Sequence, residues 1–227
     1  MIVFVDNEHE KGYDTPWGEK LLAARTWIKY RLEDISGEPC LIVRYNHVTP
    51  ALLEELNVKA VLISGSGTDA TEYSADEQEG LRAVFHEKRY PTFGFCGGFQ
   101  VMGETFGAEL ARIGKLAEGE AEIEPAAFAP GMKKEFGYIP VQVTDSHPLL
   151  EGLGTQPIMR QAHSWEIKDV PNGFRLYAAS DVTPIQMIIH ESLPILGTQF
   201  HPEYYTDEHP AGRQLIENFF RFSGIIS

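Results

Sequence analysis

The stretch "TFGFCGGFQVMG", Thr92 to Gly103, sets Cys96 between Gly94 and Gly98, just after an apolar run and just before a helix-like pattern. G-x-C-x-G at such a junction is the cysteine version of the nucleophile elbow, a tight strand-to-helix turn that lifts its central side chain above a sheet. The central residue is strained, and side chains two positions before and after it would collide, so glycine fits there. The helix that comes next aims free N–H groups at the sulfur and favours a thiolate. On the elbow alone, the competing reading is a buried cysteine packed as a small apolar residue.

A thiolate also needs a base to move protons, and the base needs a group that orients it. Among the eight histidines, His201 stands out in "GTQFHPEYY", directly after the apolar run "ILGTQF", where a side chain emerges at the carboxyl edge of a sheet. Glu203 comes two positions on, with Pro202 stiffening the loop. A carboxylate beside an imidazole fixes its tautomer and supports the imidazolium that forms during reaction. With the upstream elbow, the set becomes a triad in the order Cys, His, Glu. His9, His47, His86, His147, His190 and His209 do not fall at metal-ligand spacings with cysteine or carboxylate.

Positioning such a triad requires a sheet. Apolar runs at Ile2–Val5, Cys40–Tyr45, Val58–Ser64 and Thr92–Phe95 suit strands buried on both faces, and helical patterns alternate with them. One helix is expected from Pro16 to Asp34, with Thr15 as its cap and Gly37 beyond its end. A second starts at Thr49 and Pro50, a third at the capping box "SADE" from Ser74, and a fourth at Gly97. This order predicts a doubly wound, mostly parallel α/β sheet flanked by helices. From Tyr138 several strand-like stretches occur without helices, so antiparallel additions are expected in the C-terminal half before a last helix at about Pro210–Phe222.

The 227 residues are read as one domain, 1–227, with no linker, repeat or low-complexity segment. A hydrophobic share of 43% and a charged share of 23% are those of a globular protein, and no apolar run approaches a membrane span. The start, "MIVFVDNEHEK", reads as a first strand and not as a signal peptide, which places the protein in the cytoplasm. A net charge of −14 argues against nucleic acid or an anionic membrane surface as the partner. Cys40 and Cys96 make neither a disulfide framework nor a zinc pattern.

"GFCGGFQ" followed about a hundred residues later by "GTQFHPE" resembles the class I glutamine amidotransferases, triad glutaminase domains with a flavodoxin-like fold that supply ammonia to synthetases. The likeness extends to "KEFGYIPVQV", "HPLLEGL", "RQAHSWEI" and "LIENFFRF". The resemblance implies that Cys96 is nucleophile, His201 general base and acid, and Glu203 the orienting group. It implies no metal and no organic cofactor.

Attack on a carboxamide creates an oxyanion that preorganised N–H groups stabilise. Gly97, next after the nucleophile, supplies one donor by elbow geometry. The second is expected from "LISGSGTD", where the family usually reads glycine, glycine, proline and this chain reads Gly65, Ser66, Gly67, leaving Ser66 and Gly67 both open. By the same resemblance Gly65, Gln100, His163 and Ser164 surround the substrate, while "HSWEI" departs from the family's commoner wording and Trp165 is expected to narrow or reshape the pocket. Gly65, Gly67 and Ala70 also mimic a dinucleotide fingerprint, but the helix there is expected only from Ser74, too late for that motif.

The expected reaction is hydrolysis of the glutamine side-chain amide through a thioester, with ammonia passed to a separate synthetase, since no P-loop or acceptor domain is present. The alternatives are a free-standing hydrolase of another γ-glutamyl amide, motivated by the altered loop and Trp165, and a non-catalytic subunit that keeps the fold.

Overall fold

The computed structural model describes residues 1–227. The four apolar runs become β1 (Ile2–Asp6), β2 (Cys40–Arg44), β3 (Ala60–Ile63) and β4 (Thr92–Phe95). Between and after them lie α1 (Glu10–Tyr13), α2 (Gly18–Ser36), α3 (Pro50–Glu55), α4 (Glu79–Glu87) and α5 (Gly97–Thr105). The later half holds β5 (Leu110–Arg112), β6 (Glu135–Pro140), β7 (Gln142–Val143), β8 (Ile158–His163), β9 (Trp165–Ile167), β10 (Phe174–Ala179), β11 (Met187–His190) and β12 (Ile195–Thr198). The chain then enters α6 (Ala211–Phe222).

The main sheet runs β2-β1-β3-β4-β12-β11-β10-β7. Its first five strands are parallel, and the last three pair antiparallel. The mostly parallel sheet with antiparallel additions is therefore as the alternation of elements predicts. Two small antiparallel pairs, β5 with β9 and β6 with β8, stand outside it.

Side chains alternate across a strand, and in β1 this divides the core into two layers. Ile2 and Phe4 face one side, packed with Ile28 and Leu32 of α2 and Leu215 and Phe219 of α6. Val3 and Val5 face the other, packed with Leu53 of α3, Phe85 of α4 and Met102 of α5. Both faces are thus dry, which explains why these strands read as continuous apolar runs.

Some boundaries differ from expectation. The Thr15 hydroxyl accepts from the Trp17 N–H in a turn, and α2 opens only at Gly18, ending as expected at Gly37 with φ 68°. The capping box forms, with Ser74 N–H donating to Glu77 Oε2 at 3.0 Å, but it closes a turn and α4 begins at Glu79. No helix is long and apolar enough to cross a membrane.

Candidate active site

The carboxyl ends of four neighbouring parallel strands, β1, β3, β4 and β12, meet at one point, the place where open α/β sheets offer a crevice. β4 ends in Cys96, whose backbone takes φ 45° and ψ −104°. A non-glycine residue there is strained, and the surrounding fit holds it in place. A Cβ on Gly94 would sit 2.7 Å from the carbonyl of Gly98, and one on Gly98 would sit 2.6 Å from the carbonyl oxygen of Ile63. Both glycines are therefore needed for the turn, as the elbow reading requires.

β12 pairs with β4 in register, Thr198 beside Phe95, and so brings the residues after it to the elbow. His201 Nδ1 lies 2.8 Å from Glu203 Oε1. Its backbone N–H donates to the carbonyl of Arg160 at 2.8 Å, which anchors the loop to β8. A Cβ on Gly65 would sit 2.5 Å from His201 Cε1 and 3.3 Å from Cys96 Cβ, so both side chains pack onto the same backbone point at the end of β3. Burial opposes a charge on His201, but Glu203 and Cys96 outweigh it and raise the imidazole to about 10. His201 is held in the form that can give a proton.

The loop after β3 is fixed from behind. The Gly65 carbonyl accepts from Arg25 Nη2 at 2.9 Å and from the Ser64 hydroxyl at 2.8 Å. In a trans peptide the next N–H points the opposite way, so Ser66 N–H turns toward the elbow. Ser66 N lies 2.9 Å from the position of a Gly97 Cβ. Gly67 N–H instead donates to Glu8 Oε2 at 2.6 Å.

Gln100 is buried, and its amide donates to the Trp165 carbonyl and to Gln199 Oε1, each at 3.1 Å. His163 lines the same cavity, yet both ring nitrogens turn into the protein: Nδ1 donates to the Trp165 carbonyl at 3.0 Å and Nε2 lies 3.2 Å from Glu135. Ser164 accepts from Arg112 Nη1 at 2.5 Å, and the Arg112 guanidinium lies 4.5 Å from the Trp165 ring centre. The cavity, about 430 Å³, is lined by Cys96, Ser66, Gly97, Gln100, His163, Ser164 and Trp165 among others.

Four residues here escape the sequence reading. Gln199 donates to Cys96 Sγ at 3.4 Å. Asn7, at the end of β1, carries its amide Nδ2 to 3.2 Å from the same Gly97 position that Ser66 N approaches. Fully buried Glu8 accepts from Gly67 N–H, from Thr68 N–H at 3.0 Å and from the Thr68 hydroxyl at 2.6 Å. Arg25 joins this cluster through Asp6 Oδ1 at 2.7 Å. Only Gln199 lies inside a motif, two positions before His201. No group of three or more His, Cys, Asp or Glu side chains is arranged to hold a metal ion.

A doubly wound sheet with a cysteine elbow on one strand and a His–Glu pair on its neighbour defines a class, and the chain belongs to it: the model described as "Glutamine amidotransferase class-I" matches residues 25–222. A Pyrococcus furiosus protein named as a subunit of glutamine-hydrolyzing GMP synthase is 31% identical over 140 residues, 62% of this chain and 64% of that protein. The matched part of this chain thus spans just under two thirds of that relative's length. The Methanopyrus kandleri protein of the same name is 28% identical over 191 residues, 84% of this chain and 89% of its own. In fold, a candidate GMP synthase subunit from Thermoplasma acidophilum superposes with a TM-score of 0.72 at 23% identity, covering 99% of this chain and 94% of that one.

Proposed function

We propose that this chain, as one domain over residues 1–227, hydrolyses the side-chain amide of glutamine and releases ammonia for a separate synthetase subunit. The single observation that carries the reading is the placement of Cys96 against the His201–Glu203 pair, the two sharing a packing point on Gly65.

Cys96 Sγ attacks the amide carbon, and the carbonyl electrons move to oxygen, where the N–H groups of Gly97 and Ser66 receive the charge. As the tetrahedral centre collapses, the C–N bond breaks and the imidazolium of His201 protonates the leaving nitrogen, giving ammonia and a γ-glutamyl thioester. His201, now neutral, takes a proton from water, whose oxygen attacks the thioester and frees glutamate and the thiolate. Glu203 keeps the imidazole oriented through both halves. The balance is glutamine plus water to glutamate plus ammonia, and no cofactor enters it.

Two relatives, each named as a subunit of a glutamine-hydrolyzing synthase, support both the substrate and a separate partner. A cytoplasmic location goes with this role. Ammonia release from L-glutamine by the purified chain, compared with Cys96→Ala, tests the reading.

A further inference from the structure

Gln199 is fully buried directly after β12, and its amide Nε2 lies 3.4 Å from Cys96 Sγ. Which end of that amide faces the sulfur decides what it can do, because the nitrogen donates and the oxygen only accepts. The neighbouring bonds fix the orientation. The backbone carbonyl of Trp165 can only accept, so the end of the Gln100 amide that lies 3.1 Å from it is the NH2. The same NH2 meets Gln199 at 3.1 Å, which makes the atom it meets the Gln199 oxygen. The Gln199 NH2 is therefore the end turned to Cys96. A flip at either amide would set two like groups against each other in a buried place, where polar groups are paired.

The surrounding backbone holds this contact. Gln100 stands one turn along α5 from Cys96, its N–H donating to the Cys96 carbonyl at 2.9 Å. The Cys96 N–H donates to the Thr198 carbonyl at 2.7 Å, and the Gln199 N–H to the Gln186 carbonyl at 2.8 Å. The nucleophile is thus tied to two successive residues, by its backbone to Thr198 and by its sulfur to Gln199. The Ala162 carbonyl, 4.0 Å from Sγ, can only accept and offers a charged sulfur nothing.

Resting on the glutamine reading above, we propose that Gln199 is a further catalytic residue, the donor that receives the sulfur's charge when the thioester breaks, with Gln100 as its positioning residue. In the acyl-enzyme the sulfur is neutral and accepts poorly. Water attacks the thioester carbon and gives its proton to His201. As the tetrahedral centre collapses, the C–S bond breaks and its electron pair goes to sulfur. His201 faces the water in that step, so the Gln199 N–H is the donor at the sulfur. In the first half of the reaction the charge runs the other way, from thiolate to carbonyl oxygen. Only an interaction that strengthens toward the transition state raises a rate, so Gln199 speeds release of the acyl group and not its capture.

The test is rapid acid quench of the full chain mixed with L-glutamine, with the mass of the Cys96 adduct followed in time, so that its formation and its decay are separate rates. A hydrogen bond to a full charge is worth on the order of 10- to 100-fold, and the departing sulfur carries part of a charge. Gln199→Met, which keeps the length and removes the donor, should therefore slow decay about 10-fold and leave formation within about threefold. Gln100→Met frees the Gln199 amide to turn, and should slow decay in the same sense by about threefold; it carries the test if the first variant fails to fold. Slowing of formation and decay together would mark a packing role and overturn the proposal. Slower formation with unchanged decay in Gln100→Met would assign that residue to the substrate and overturn its positioning role. If the wild type forms and clears the adduct while neither variant slows its decay, the role of Gln199 falls and the glutamine reading stands. If the wild type never acquires the adduct, the glutamine reading falls and this proposal with it.

Discussion

The carboxylate of Glu8 and the backbone N–H of Gly67 are joined by a 2.6 Å hydrogen bond across 59 positions of sequence. This bond, with the two from Thr68, ties the loop after β3 to the end of β1, and Arg25 pins the Gly65 carbonyl from the same side. Ser66 N–H is thereby aimed at the elbow before any ligand arrives, which is what an oxyanion donor needs in order to lower a barrier. In the proposed mechanism Glu8 is a positioning residue for the Ser66 donor. Glu8→Gln should lower kcat about 10- to 100-fold while KM changes less than about threefold. A purely structural loss would lower the active fraction and leave both constants of the surviving enzyme unchanged, a distinction that active-site titration makes.

Gly65 carries the tightest spatial constraint in the site. Its backbone is not in the left-handed region, so alanine meets only the His201 ring at 2.5 Å and Cys96 at 3.3 Å. Gly65→Ala should fold normally, displace the imidazole and cost about 100-fold in kcat/KM, the scale of an ångström's misplacement. Circular dichroism and steady-state kinetics on one preparation would check both halves.

The proton held by His201 makes stability depend on pH. Its folded value is raised to about 10, chiefly because Glu203 and Cys96 outweigh burial, while an unfolded histidine titrates near ~6.5. The folded state therefore binds the extra proton between these values. Its stabilising effect is complete below about pH 6.5 and is lost as pH rises toward about 10. Glu203→Gln removes the leading cause of the shift and should flatten the fall. Urea melts of both proteins between about pH 6 and 10 would measure the difference in slope.

Phe219 of α6 is buried, and its ring centre lies 5.3 Å from that of Phe93, the two planes tilted by 58°; Phe93 belongs to β4, the strand that leads into Cys96. Phe219→Ala should destabilise the fold by about 3–5 kcal/mol, lowering Tm by roughly 6–20 °C for a chain of this size. Activity per folded molecule should hold near the wild-type value at low temperature, since α6 contributes no group to the cavity.

The sheet and the Cys–His–Glu set were readable because their signals are local. β1 to β4 are continuous apolar runs, and the elbow and "GTQFHPE" each lie within a few residues. The rest depends on distance in sequence. Glu8 stands in "NEHEK", which looks like a solvated turn until the loop from Gly67 to Thr68 folds onto it. Gln199 touches Cys96 only because β12 pairs with β4 across a hundred residues. Nor does the sequence show that Arg25 binds the Gly65 carbonyl and Glu8 the Gly67 N–H, since both partners lie far away along the chain. β5, three residues long, is too short to show a period, yet it carries Arg112 to the cavity.

The most direct test of the central claim is ammonia release from L-glutamine by the purified chain beside Cys96→Ala, with the acylated wild-type protein trapped by acid quench and its mass determined. Turnover by the wild type, a γ-glutamyl adduct on Cys96, and a loss of about 10⁴-fold or more in the variant are expected. Release of ammonia by Cys96→Ala at the wild-type rate would contradict it.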